Sequence, residues 1–208
     1  ATAATGSGLT GAGTATTLPA GGNGGATDVG VTGDTVTLGT IATLSGPIPG
    51  LFQGASIGAQ AFVAYRNSQG GIYGRKLKLV VRDDQFDSGQ YRSQTQDLSK
   101  QALALLGSFS TFDDAGQADL EKAGIPDVGY GLTDARRNSP VNYSPQPAKS
   151  GTFRSGPFVH YGKRFPEAVK AVATLYGDVP ASKGAALDAI AAAESVGWKF
   201  VYQRAYQP

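Results

Sequence analysis

The chain of 208 residues has no cysteine, no methionine, one histidine and one tryptophan, and only 16% of its side chains are charged. Without cysteine there is no disulfide scaffold, zinc-thiolate site, iron–sulfur cluster or cysteine nucleophile, and no redox compartment to read. A single histidine, His160, excludes a multi-histidine metal site. No cofactor is expected. No apolar run approaches the roughly 18 residues of a membrane span. Lys and Arg number 18 against 16 Asp and Glu, a net charge of +2. The basic residues are scattered, with no run longer than Arg136-Arg137, so nucleic acid is not expected as a partner. Phosphate-cradling glycine motifs are missing too: there is no G-x-x-x-x-G-K-[ST], and no G-x-G-x-x-G after the first strand. The lack of methionine leads us to expect a trimmed or processed chain, with a cleaved secretion signal as one origin.

Glycine is abundant instead: 30 residues, about twice the usual share. Much of the excess lies at the front. Residues 1–30 are Ala, Gly, Ser or Thr at 24 of 30 positions, and Asp28 is their only charged side chain. Such a segment cannot bury enough apolar surface to offset its chain entropy, and it reads as a flexible tether. A spacer between a membrane anchor and a domain fits the composition, although the lipid-bearing cysteine of such an anchor is absent here.

From Val31 strand-like and helix-like runs alternate. Residues 35–44 are β-branched and apolar and end at Ser45-Gly46-Pro47. Residues 51–67 are expected to be a helix burying Phe52, Ala55, Ala59, Phe62 and Val63 on one face. A strand over 76–82 ends at Asp83-Asp84, and a polar helix over 88–100 has Leu98 and little else to bury. A third strand spans 102–106, a loop 107–112, a short helix with acids at its start 113–122, and a fourth strand 125–130. Four strands joined by helices predict a doubly wound parallel α/β sheet. The stretch 140–156, with three prolines, is irregular. Helix (158–164), strand (171–176), helix (181–196) and strand (198–204) follow. The last strand–helix–strand unit either extends the first sheet or begins a second lobe. In the second case Val172, Leu175, Val201 and Tyr202 would lack most of their cover.

Ligands of open parallel sheets bind outside the carboxyl ends of the strands. That rule nominates the loops at 45–47, 83–85, 108–112, 129–133 and 177–178. Ser45-Gly46-Pro47 either lets backbone N–H groups approach an anion or is a plain turn. Ser108-Phe109-Ser110-Thr111 offers hydroxyls for a carboxylate or phosphate, and the same residue types serve as N-caps. Gly129-Tyr130-Gly131-Leu132-Thr133 has the same logic, with an aromatic that can pack on a ligand. Asp83, Asp84 and Asp87 form an acidic cluster: a metal or acid-pair site in the sharper reading, a solvated strand end in the plainer one. His160 has no group to orient it for a Ser-His-Asp set. No catalytic residue stands out, and the chain is not expected to be an enzyme.

The runs "TVTLGTIATLSGP" and "GASIGAQAFVAYRNSQGGIYGRKLKLVVRDD" resemble the first half of the branched-chain amino-acid-binding family, the substrate-binding proteins of ABC importers with the type I periplasmic-binding fold. The first strand closing in S-G-P, the element Asn67-Ser68-Gln69-Gly70-Gly71-Ile72-Tyr73-Gly74 and the strand ending in Asp83-Asp84 carry the likeness. "LLGSFSTF", "AGIPDVGYG" and "VATLYGD" support it.

The resemblance implies two α/β lobes closing on a ligand: a tether over 1–30, a first lobe over 31–169, and over 170–208 the beginning of a second, incomplete lobe. It implies capture of a small carboxylate-bearing, amino-acid-like solute outside the cytoplasm, in the periplasm or at the cell surface. Delivery would be to the membrane permease of an ABC importer. Membrane contact would come only through an N-terminal lipid anchor. By position, Ser45, Ser110, Thr111, Gly131 and Thr133 of lobe one and Tyr176 and Asp178 of lobe two would face the ligand. The run Val179-Pro180-Ala181-Ser182 stands where amino-acid-binding members commonly carry an aromatic, and Leu132-Thr133-Asp134-Ala135-Arg136 replaces the usual small residues. Two alternatives remain open: a ligand sensor of the same fold that regulates a partner protein, and an α/β enzyme.

Overall fold

The structure is a computed structural model that describes residues 20–145 and 154–207. Residues 1–19 of the expected tether and the middle of the proline-bearing stretch lie outside the described residues.

Lobe one is a four-stranded parallel sheet in the order β2-β1-β3-β4. Its strands are β1 (Thr35–Ala42), β2 (Lys76–Asp83), β3 (Ala104–Leu106) and β4 (Asp127–Val128). β1 pairs with β2 along its whole length, from Thr35 opposite Lys76 to Ala42 opposite Asp83. The helices α1 (Gln53–Ser68), α2 (Ser88–Leu98) and α3 (Gln117–Ala123) connect them. One face of the sheet packs Ile41 and Leu105 with Tyr91, Leu98, Leu120 and Ile125, contributed from α2, α3 and the turn before β4. On the other face Val36 and Leu77 pack with Val63 of α1. The sheet is therefore covered on both sides, as a parallel sheet requires.

Local chemistry explains the joints. The Asn67 side chain donates to the Leu77 carbonyl at 2.8 Å and accepts from the Leu77 amide at 2.7 Å, so it completes the edge of β2 like a strand residue. Gly71 has φ +82°, and a Cβ there would lie 1.9 Å from the Arg75 carbonyl oxygen, which explains the glycine in N-x-x-G-G-I-x-G. Asp87 caps α2 by accepting from the Gln90 amide at 2.7 Å.

Three expectations need correction. α1 buries Ser56, Ala59 and Val63, while Phe62 is exposed, because the helix is rotated relative to the face read from the sequence. α2 buries Tyr91 and Thr95 along with Leu98. The run 113–122 becomes helical only at Gln117, and Asp113 is buried rather than placed at a helix start.

The described end of the tether is tied to lobe one. Arg75 donates through Nη2 to the Asn23 and Gly25 carbonyls, and the Thr37 amide donates to the Gly30 carbonyl at 2.7 Å. The stretch expected to be flexible over 1–30 is thus, from Asn23 on, hydrogen-bonded to the sheet.

A short helix, α4 (Asp134–Arg137), follows β4. After it come α5 (Gly156–Arg164), a 3-10 turn (Ala168–Lys170), β5 (Val172–Gly177), α6 (Pro180–Glu194) and β6 (Phe200–Tyr206). β5 and β6 pair in parallel as a separate two-stranded sheet rather than extending the first. Leu175, Val201 and Tyr202 are exposed.

Candidate functional site

The strand order reverses between β1 and β3, one running outward to β2 and the other to β4. A switch point of this kind leaves a crevice at the carboxyl ends of the two strands. Phe52 and Phe109, from the loops after β1 and β3, meet edge to face there with centroids 4.6 Å apart. Tyr130, from the loop after β4, stacks on Phe109 at 6.4 Å. The aromatic foreseen as a ligand platform is thus engaged in packing the floor of the crevice.

Above this floor lies a cavity of about 310 Å³ between the lobes. Lobe one lines it with Ile48, Leu51, Phe52, Phe86, Thr111 and Leu132. The other wall is Gly177, Val179, the first turns of α6 through Ala181, Ser182 and Ala185, and Tyr206 at the end of β6. No acidic side chain is among the described residues lining it. The polar groups are few. Thr111 is buried, and its Oγ1 has no hydrogen-bond partner. Ser182 Oγ accepts from the Gly177 amide at 3.1 Å, which leaves its proton available. α6 begins at Pro180, has no acid in its first turn, and points that end at the cavity. The first amides of a helix carry partial positive charge.

Of the seven residues foreseen from the sequence, only Thr111 lines this cavity. Ser45 donates to Asp83 Oδ2 at 2.5 Å, and Thr133 donates to Asp113 Oδ1 at 2.5 Å while capping α4. A hydroxyl whose proton is already given to a carboxylate has none left for a second anion. Ser110 is buried and accepts from the Phe112 amide at 3.1 Å. Gly131 serves packing: a Cβ there would lie 2.9 Å from the Arg137 amide nitrogen. Tyr176 lies on β5 one residue short of Gly177, and the exposed Asp178 accepts from Gln207 at 3.1 Å.

The acidic cluster after β2 is also spent locally. Asp83 takes the Ser45 hydroxyl and the amides of Leu44, Ser45 and Gln85. Partial burial pushes its carboxyl up, but these donors together hold it below the usual carboxylate value. The buried Asp84 accepts from Thr43 at 3.1 Å and from the Phe86 amide at 2.9 Å. His160 lies exposed on α5, edge-on to Tyr161.

Sequence reading missed a buried ionic knot beneath the crevice. Arg136, 0% exposed, grips Asp127 in a bidentate pair, Nε to Oδ2 at 2.6 Å and Nη2 to Oδ1 at 2.8 Å. Its Nη1 donates to the Ser108 carbonyl at 2.9 Å and the Tyr130 carbonyl at 3.2 Å, and lies 3.5 Å from Asp113. Asp113 accepts from the Leu132 and Thr133 amides. The knot therefore ties the loops after β3 and β4 together. Burial works against the Arg136 charge, yet Asp127 above all holds it firmly protonated. Burial pushes the Asp113 carboxyl up, with Arg136 and Thr133 opposing. The adjacent Arg136-Arg137 was legible as a pair of charges; nothing local distinguishes a buried arginine from a solvated one.

The comparisons with known proteins agree with this architecture. No curated protein matches the sequence. A fatty acid ABC transporter substrate-binding protein from Thermomonospora curvata superimposes with a TM-score of 0.70 at 22% identity, over 93% of this chain and 49% of that one. A branched-chain amino acid transporter substrate-binding protein from Streptococcus pneumoniae, solved with isoleucine, gives 0.65 at 22% identity, over 84% and 50%. An ABC transporter solute-binding protein from Rhodopseudomonas palustris, solved with 3,4-dihydroxybenzoic acid, gives 0.61 at 16% identity, over 84% and 48%. At these identities the likeness is one of fold, and the chain spans about half the length of each protein. The family model for periplasmic binding proteins matches residues 35–208, and the chain belongs to that family.

Proposed function

We propose that this chain forms the ligand-facing part of an extracytoplasmic solute-binding protein that captures a small apolar carboxylate between its lobes and delivers it to the permease of an ABC importer. One observation carries the reading: the start of α6 and Thr111, whose buried hydroxyl has no partner, line the same apolar cavity. A carboxylate there accepts from Thr111 and Ser182 and lies against the positive end of a fifteen-residue helix. Its apolar body fills the space among Ile48, Leu51, Phe52, Phe86 and Leu132. The neighbours support the same chemistry. A fatty acid, isoleucine and 3,4-dihydroxybenzoic acid each join a carboxylate to an apolar body. An amino-acid head would also need an acceptor for its ammonium, and the lining residues include no acid, so the reading stops at the carboxylate.

Isothermal titration calorimetry with octanoate and octanol tests this. Octanoate is expected to bind and octanol to bind at least about tenfold more weakly, since a hydrogen bond to a charged group is worth about 1.5–3 kcal/mol. Thr111→Val combined with Ser182→Ala should weaken octanoate by about ten- to a hundredfold and leave octanol unchanged. Equal affinity for acid and alcohol would refute the anion subsite.

A further inference from the structure

Arg137 makes a contact that the binding reading does not use. Its side chain is only 7% exposed, and its three nitrogens face different demands. Nη2 donates to the Leu132 carbonyl at 2.7 Å, and the Leu132 side chain lines the cavity from lobe one. Nη1 donates at 2.8 Å to Asp188 of α6, in lobe two. Asp188 lies one helical turn beyond Ala185, on the stripe of α6 that includes Ala181 and Ala185 of the opposite wall. Nε is buried with no partner. Gly131 permits the close approach of this arginine to the loop after β4, since a Cβ there would also lie 3.1 Å from Arg137 Cγ. Burial works against the Arg137 charge, and Asp188 first, with Tyr130 and Asp134, more than offsets it.

One guanidinium therefore holds both walls of the cavity. We propose that Arg137 is a positioning residue that sets the width of the interlobe cavity by tying Leu132 on one wall to Asp188 behind the other. The inference rests on the solute-binding reading for its purpose, but its geometry can be tested without any solute. Arginine is suited to the task because its planar fork makes two divergent hydrogen bonds at once. Lysine keeps the charge toward Asp188 and loses the fork.

The cysteine-free chain makes the test direct. Nitroxide labels on Lys122→Cys in lobe one and Glu194→Cys in lobe two, both at exposed positions, report the interlobe distance by double electron–electron resonance. The unmodified pair should give one narrow distance distribution. Arg137→Gln and Asp188→Asn should each broaden and lengthen it, and Arg137→Lys should fall between. The Asp188 variant changes no residue of lobe one, so it decides the matter even if Arg137→Gln folds poorly. Calorimetry supplies the functional arm. The parent chain should prefer octanoate to dodecanoate, and Asp188→Asn should shrink that preference by about threefold or more, a difference in selectivity that a loss of folded protein alone does not produce. An unchanged distance distribution in Asp188→Asn overturns the proposal. If the parent chain binds neither acid, the solute reading fails, and the distance measurement still decides the role of Arg137.

Discussion

The two lobes bury their sheets very differently. Ile41 on β1 and Leu105 on β3 are 0% exposed, whereas Leu175 on β5 and Val201 on β6 are 65% and 60% exposed. Both sheets are parallel, and parallel strands need cover on both faces. Lobe one has that cover from α1 on one side and α2 and α3 on the other. In lobe two, α6 buries Ala181, Ile190, Ala192 and Ala193, and Leu175 and Val201 of the strands stay bare. The cavity is thus bounded by one wall built on a closed core and another built on a thin layer. A residue of the first wall derives its position from packing; a residue of the second derives it from α6 and from the Arg137 link.

The largest expected effect falls on the closed core. Arg136→Met removes the cation from a pocket that also holds Asp127 and Asp113, both 0% exposed. Leaving a buried charge without its partner costs about 3–5 kcal/mol. Urea unfolding separates the lobes, because Trp198, the only tryptophan, lies in lobe two between α6 and β6. The transition followed by far-UV circular dichroism should fall to lower urea, and the Trp198 fluorescence transition should move less. If both move equally, the lobes unfold as one unit and the contrast between them is thermodynamically empty.

A matched pair of truncations sharpens the contrast. Leu105→Ala opens a cavity in a fully buried cluster and should cost about 2–5 kcal/mol. Leu175→Ala removes the same atoms from an exposed strand position and should stay within about 0.5 kcal/mol. Similar losses at the two sites would show that Leu175 is covered in solution.

The sheet was legible in the sequence because its signals are local. β-branched runs, the N-x-x-G-G-I-x-G joint and the turn residues after each strand mark where the chain must extend, stop or bend. The cleft was legible as a place, since it follows from strand order, and Thr111, nominated by that rule, lines the cavity. Its chemistry was less legible. Ser45, Ser110 and Thr133 are the right residue types at the right strand ends, yet Ser45 and Thr133 give their protons to carboxylates distant in sequence, and Ser110 is buried away from the cavity lining. Ser182 and the start of α6 line the cavity only because lobe two packs against lobe one, a contact that no local pattern encodes. The sequence places Asp113 at a helix start and gives no sign that Arg136 is buried, for the same reason: burial is a property of the fold.

The smallest expected effect concerns pH and decides whether Ser45 is structural. Asp83 titrates below its ordinary value of 3.8 in the folded chain, against a partial burial that would raise it, because the Ser45 hydroxyl and the Gln85, Leu44 and Ser45 amides favour its charged form. A folded value lower than the unfolded one gives a contribution that is complete above the unfolded value and is lost as the pH falls through the folded one. Asp113 has the opposite sign: its raised value means that its contribution shrinks as the pH rises through the range above 3.8. Melting lobe one at about pH 5 and about pH 3 should therefore show a fall in stability that is smaller in Asp83→Asn than in the parent chain. Asp34 and Asp119, also held low by their donors, keep part of the acid loss in both. Ser45→Ala should reduce the pH-dependence in the same direction, because it removes one of the donors that lower the Asp83 value. If Ser45→Ala leaves the acid response of the parent intact, the Ser45 hydroxyl is not committed to Asp83 in solution. It would then be available to a ligand, which would return it to the carboxyl-end site from which the structure displaces it.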